Sequence, residues 1–159
     1  MTELSKRTVP RWAANGPLML AGLEAAIDRI GSCFILGHSQ GGGLALHATL
    51  SHRQVHAVVL LEPHGVPGSF DPAQVAGRSC LTIMGDFIDE AAEWHTLDEQ
   101  AKRAHRSWNE AGGTSWLMEL PQRGIKGNSH MLMMDNNSDQ VAGLVLEWLD
   151  GEKAAGRLM

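Results

Sequence analysis

Cys33-Phe34-Ile35-Leu36-Gly37-His38-Ser39-Gln40-Gly41-Gly42-Gly43 decides how this chain is read. A short apolar run enters Gly-x-Ser-x-Gly, and a helix-like segment follows from Leu44 to Leu50. Strand, tight turn and helix form the context in which such a serine becomes a nucleophile. The turn strains the serine backbone, and the small residues Gly37 and Gly41 are expected to let strand and helix approach each other. Ser39 Oγ then stands at the carboxyl end of a strand, where ligands bind in open α/β sheets. The N–H of Gln40 faces the same space and can stabilise an oxyanion. A glycine-rich turn capped by serine gives the same five letters, but the apolar strand before it and the helix after it favour a nucleophile.

Outward from this stretch the chain alternates. Pro17 suits a first helical position, and Leu20, Leu23, Ile27 and Ile30 then recur at helical spacing up to Gly31. The helix after the serine is expected to run to about Arg53. Val55 to Leu61 is apolar almost throughout, as a parallel strand covered on both faces should be. Further strands are predicted over Cys80–Met84 and Thr114–Leu120, and helices over Leu97–Ala111 and Asp139–Leu149, with one helical turn near Pro72–Val75. Residues 1–16 read as an irregular lead-in and 151–159 as a frayed tail. The fold class is therefore α/β: one domain over 1–159, a mostly parallel sheet of about four strands with flanking helices.

Composition narrows the function. The chain has 159 residues and a formal charge of −5, with no basic run, which argues against nucleic-acid binding. No apolar stretch reaches membrane-spanning length. No signal-peptide pattern opens the chain, so it is expected to be cytoplasmic as written, or secreted if it is a piece of a longer protein. Cys33 and Cys80 begin strands that a third strand would separate by roughly 10 Å, too far for a disulfide. The eight histidines show no zinc spacing, so neither a metal nor another cofactor is expected.

A serine hydroxyl needs a base to take its proton, and the base needs a carboxylate to hold its tautomer. His130, between the fourth strand and the last helix, fits the base. Two carboxylates close strands beside the serine: Glu62 after the next strand and Asp86 after the following one, with Asp89 a more distant third. Position alone leaves the acid open between Glu62 and Asp86. His38, His64, Phe87, Trp94 and Met131 are the candidate walls of a substrate pocket.

Three segments together, GHSQGG at 37–42, LLEPHG at 60–65 and GIKGNSHMLMMDNNS at 124–138, resemble a group of bacterial α/β-hydrolase-fold serine esterases. The likeness covers roughly residues 17–150. It implies a Ser–Glu–His triad of Ser39, Glu62 and His130, with Gln40 N–H as one oxyanion donor, and so favours Glu62 over Asp86. It also implies that this chain matches the carboxyl-terminal half of such an esterase, a truncated α/β-hydrolase fold lacking the N-terminal strands and the loop that carries the second oxyanion donor.

Three expectations follow. The serine strand becomes a sheet edge, and such an edge, with the apolar sheet face beside it, invites a homo-oligomer. The activity is that of a serine carboxylesterase on small esters. The alternative is a catalytically weak or inactive half-domain that acts as an oligomeric binding module.

Overall fold

The structure, a computed structural model, describes residues 12, 14–90 and 92–158; most of the lead-in lies outside them. Chain order is α1 (Asn15–Ile30), β1 (Cys33–His38), α2 (Gln40–Ser51), β2 (Val55–Leu61), a short α3 (Pro72–Val75), β3 (Ser79–Met84), α4 (Ala92–Glu110), β4 (Thr114–Glu119) and α5 (Ser138–Ala154). The strands form one sheet in the order β1-β2-β3-β4, and every neighbouring pair is parallel. Parallel neighbours need a crossover between them, and the helices supply it.

Side chains alternate across the sheet, and helices cover both faces. Val59 and Leu61 of β2, with Leu81 and Ile83 of β3, pack against Val141 and Val145 of α5. Val58, Leu60 and Cys80 face the other way, onto Ala45 and Leu46 of α2, Val75 of α3 and Trp108 of α4. Burial on both faces explains why β2 reads as a continuous apolar run. Cys33 and Cys80 are free thiols, and complete burial pushes the Cys80 thiol up to about 12.

β1 pairs with β2 and forms an edge of the described sheet. Leu36 sits opposite Val59 in register, yet Phe34 is 50% and Leu36 49% exposed, while Val59 is fully buried. The covering of that face therefore stops short of the edge strand.

Several boundaries differ from the sequence expectation for identifiable reasons. Helix α2 starts at Gln40, not Leu44, and contains Gly41, Gly42 and Gly43. Close packing outweighs low helix propensity here: a Cβ on Gly43 would lie 2.2 Å from the His64 carbonyl oxygen. On the strand side, a Cβ on Gly37 would lie 2.6 Å from Gly41 O. Gly41 itself faces open space, so Gly37, Gly42 and Gly43 permit the close approach that was expected of Gly37 and Gly41.

Helix α4 begins at Ala92, before Leu97. The tail expected to fray instead continues α5 to Ala154. Glu152, 2% exposed, accepts hydrogen bonds from Ser79 Oγ and from Arg157 Nε and Nη2, the last two at 2.7 and 2.8 Å. The Arg157 guanidinium lies 5.4 Å from the centre of the Trp116 ring. A buried, paired carboxylate thus ties the end of the chain to the start of β3.

Candidate active site

Ser39 lies between β1 and α2 with φ 53° and ψ −125°. This left-handed backbone is costly for a residue with a side chain, by roughly 1–3 kcal/mol, and its neighbours hold it in place. Its N–H donates to Leu61 O at 3.0 Å, and its carbonyl accepts from Gly42 N–H at 3.0 Å and His64 N–H at 2.9 Å. Among the described residues its hydroxyl has no hydrogen-bond partner, and no hydrogen bond joins it to His130. Gln40 is the first helical residue, so its N–H has no intrahelical acceptor.

Glu62 follows β2 with φ 39° and is 3% exposed. Its N–H donates to Ile83 O at 2.9 Å. Oε1 accepts the N–H of Gly85 at 2.7 Å, and Oε2 lies 2.7 Å from His130 Nδ1. A Cβ on Gly85 would come within 2.6 Å of Oε1, so the absence of a side chain lets the two strand ends close on the carboxylate. A carboxylate only accepts, so Nδ1 of His130 carries the proton and Nε2 of the neutral ring is left as the acceptor.

Asp86 does different work. Its Oδ2 accepts from Gly127 N–H and its Oδ1 from Phe87 N–H, each at 3.0 Å, and its own N–H donates to Asn128 O at 2.9 Å. The bonds from Gly127 and Phe87 hold its carboxyl below the usual carboxylate range. Asp86 therefore braces the loop that carries His130, and Glu62 contacts the imidazole.

That loop is locked from within. Asn128, fully buried, exchanges amide bonds of 2.7 and 3.0 Å with Asn137. Asp135 accepts from the N–H and the Oγ–H of Ser129, both at 2.8 Å. Asn128, Ser129 and Asp135 lie in the long segment 124–138, but sequence reading assigned them no role; the polar density around His130 was the available signal. Gly85 marked the end of a strand, and nothing in the sequence signalled its contact with Glu62.

Two more rings reach His130. His38 lies with its ring centre 4.5 Å away, and its Nε2 donates to the carbonyl of His130 at 2.7 Å. Trp94 lies 4.6 Å away at an interplanar angle of 40°. The other expected pocket walls do not converge. His64 lines a cleft with Val66, Leu97 and Arg103, whereas Phe87 lines a different one with Asp98 and Lys102. Met131 is 41% exposed on the His130 loop. Among the described residues no cluster of His, Cys, Asp and Glu is arranged to hold a metal ion.

No protein-family model matches the chain. A curated fungal protein named "Probable secreted lipase phiG", from Fungal sp. (strain ATCC 74256), is 24% identical over 174 residues, covering 79% of this chain and 48% of that protein. A solved structure, described as that of a novel bacterial esterase, superposes with a TM-score of 0.77 at 31% identity, over 94% of this chain and 48% of the other. The chain thus spans about half the length of both relatives. Over that span it has the parallel α/β architecture of the bacterial esterase and resembles the α/β-hydrolase esterases.

Proposed function

We propose that this chain carries the catalytic machinery of a serine carboxylesterase acting on small esters, with Ser39 as nucleophile, His130 as base and Glu62 as the acid that orients it. The observation that carries the reading is the Glu62–His130 hydrogen bond of 2.7 Å, formed at the same end of the sheet as the strained Ser39 turn. The named activities of the two similar proteins point the same way.

In this reading His130 Nε2 takes the Ser39 hydroxyl proton as Oγ bonds to the ester carbonyl carbon. Negative charge moves onto the carbonyl oxygen, beside Gln40 N–H. The carbon–alkoxy bond then breaks, and the alcohol leaves with the proton from His130. A water repeats the sequence: His130 takes its proton, its oxygen attacks the acyl carbon, and the acid departs as Ser39 Oγ regains a proton. Catalytic hydrogen bonds are often long in substrate-free proteins, so the unpartnered Ser39 hydroxyl is compatible with this role. The test is covalent labelling by a fluorophosphonate, with the adduct mapped to Ser39 and absent from Ser39→Ala.

A second reading has a specific observation in its favour. The chain covers 48% of each similar protein, and one backbone donor, Gln40 N–H, is assigned to the oxyanion in the reading above. A half-domain of this kind would bind esters and turn them over weakly. Loss of one oxyanion donor costs about 10²–10³-fold in turnover. Binding of a phosphonate ester without covalent capture would mark this case.

The exposed Phe34 and Leu36 on the edge strand support assembly with a second copy of the chain. Among the described residues no helix is long and apolar enough to cross a membrane. A cytoplasmic site of action remains the reading of the sequence, while the lipase relative is named as secreted; fractionation of the source cells separates the two.

A further inference from the structure

We propose that Trp94 is a positioning residue for His130, acting with His38 to hold the imidazole in its working orientation; the proposal rests on the esterase reading above. A hydrogen bond at Nδ1 alone leaves a ring free to pivot about that contact. Here the ring is also met by the Trp94 indole at 4.6 Å and by the His38 ring at 4.5 Å, tilted by 40° and 45°. His38 adds a bond of 2.7 Å to the backbone of His130, and because a carbonyl only accepts, its Nε2 carries the proton. The residue before the nucleophile is therefore tied directly to the residue that carries the base.

After these contacts Nε2 is the ring nitrogen without a partner among the described residues. A general base is effective only when this nitrogen points at the proton it removes, and small misplacements are costly. The early start of α4 gives Trp94 its place. The helix starts at Ala92, so Trp94 stands in its first turn, where the indole meets the imidazole. His130 is itself 27% exposed, so without the indole more of the ring would meet water and its rotation would be less restricted.

The experiment compares wild type, Trp94→Phe and Trp94→Leu as full chains on p-nitrophenyl butyrate, with proton NMR of the hydrogen on His130 Nδ1, assigned by its loss in His130→Gln. The expected result is a fall in kcat of about tenfold for Trp94→Leu with KM unchanged within about twofold. Trp94→Phe keeps an aromatic face and recovers most of kcat. The Nδ1 proton signal stays sharp in Trp94→Phe and broadens in Trp94→Leu.

A Trp94→Leu protein with wild-type kcat and a sharp signal overturns the proposal. So does a loss confined to KM, which would make Trp94 a wall of the substrate pocket. Trp94→Phe, the milder change, keeps the test open if Trp94→Leu does not fold: a kcat loss in Trp94→Phe as large as in Ser39→Ala contradicts a packing role that phenylalanine should fill. If wild type shows no Ser39-dependent turnover, the esterase reading fails separately, and the Nδ1 signal still tests the clamp.

Discussion

His130 Nδ1 and Glu62 Oε2 lie 2.7 Å apart although 68 positions separate the two residues in the chain. The same carboxylate takes the N–H of Gly85 on its other oxygen. Glu62→Gln would have to keep an oxygen toward Gly85 N–H, which turns its NH2 toward His130. Nδ1 would then have to accept, and the ring proton would move to Nε2, the wrong tautomer for a base. We expect kcat on p-nitrophenyl butyrate to fall by about 10³–10⁴-fold in Glu62→Gln, with the fold intact by circular dichroism. A loss smaller than about threefold would remove Glu62 from the mechanism.

The elbow glycines separate packing from propensity. A Cβ on Gly43 would sit 2.2 Å from a backbone oxygen, whereas one on Gly41 meets nothing within 4 Å. Gly43→Ala is expected to destabilise the protein by about 1–3 kcal/mol through forced backbone shifts. Gly41→Ala should be neutral or gain up to about 1 kcal/mol from helix propensity. Urea unfolding of the two variants side by side checks the contrast, and equal midpoints would contradict it.

Glu152 gives a pH dependence. Burial raises its pKa, but hydrogen bonds from Arg157 and Ser79 outweigh that effect and leave it lowered. A carboxyl with a depressed folded pKa contributes stability above its unfolded value, 4.5 for an ordinary glutamate, and loses it as pH falls through the folded value. At neutral pH Glu152→Ala strands the buried Ser79 hydroxyl and should cost roughly 1–3 kcal/mol. The gap between wild type and Glu152→Ala should then narrow steadily as the pH is lowered below about 5. Thermal melts across that range read it directly; a gap that widens on acidification would contradict the pairing.

The edge strand predicts a surface variant with a change in mass and no change in fold. Leu36 is 49% exposed on β1, and an edge lysine blocks strand pairing between chains. Light scattering should give wild type as an oligomer and Leu36→Lys at the mass of a single chain. A monomeric wild type would end the assembly proposal.

Much of this architecture was legible because parallel strands buried on both faces leave a strong apolar signature. Val55–Leu61 was bounded correctly from its composition alone. The strand after it ended where Gly85-Asp86 said it would. What failed was set by tertiary contacts. The start of α2 depends on how closely Pro63 and His64 approach its glycines. The reach of α5 depends on a pairing between Glu152, Ser79 and Arg157 that no local pattern announces. At the site, Glu62 and Asp86 both close strands on one sheet edge, and the residues alone could not rank them. The difference lies in backbone donors: Gly127 and Phe87 N–H engage Asp86, while Gly85 N–H turns Glu62 toward His130. Trp94 was read as a candidate pocket wall, and its contact with His130 depends on a helix that begins at Ala92 rather than Leu97.

The central claim is that Ser39 is an activated nucleophile. The most direct measurement is steady-state hydrolysis of p-nitrophenyl butyrate by purified wild type beside Ser39→Ala, at equal folded concentration. The account predicts turnover in wild type that falls to the rate of buffer alone in Ser39→Ala. Equal turnover in the two proteins, or none in a folded wild type, would contradict it.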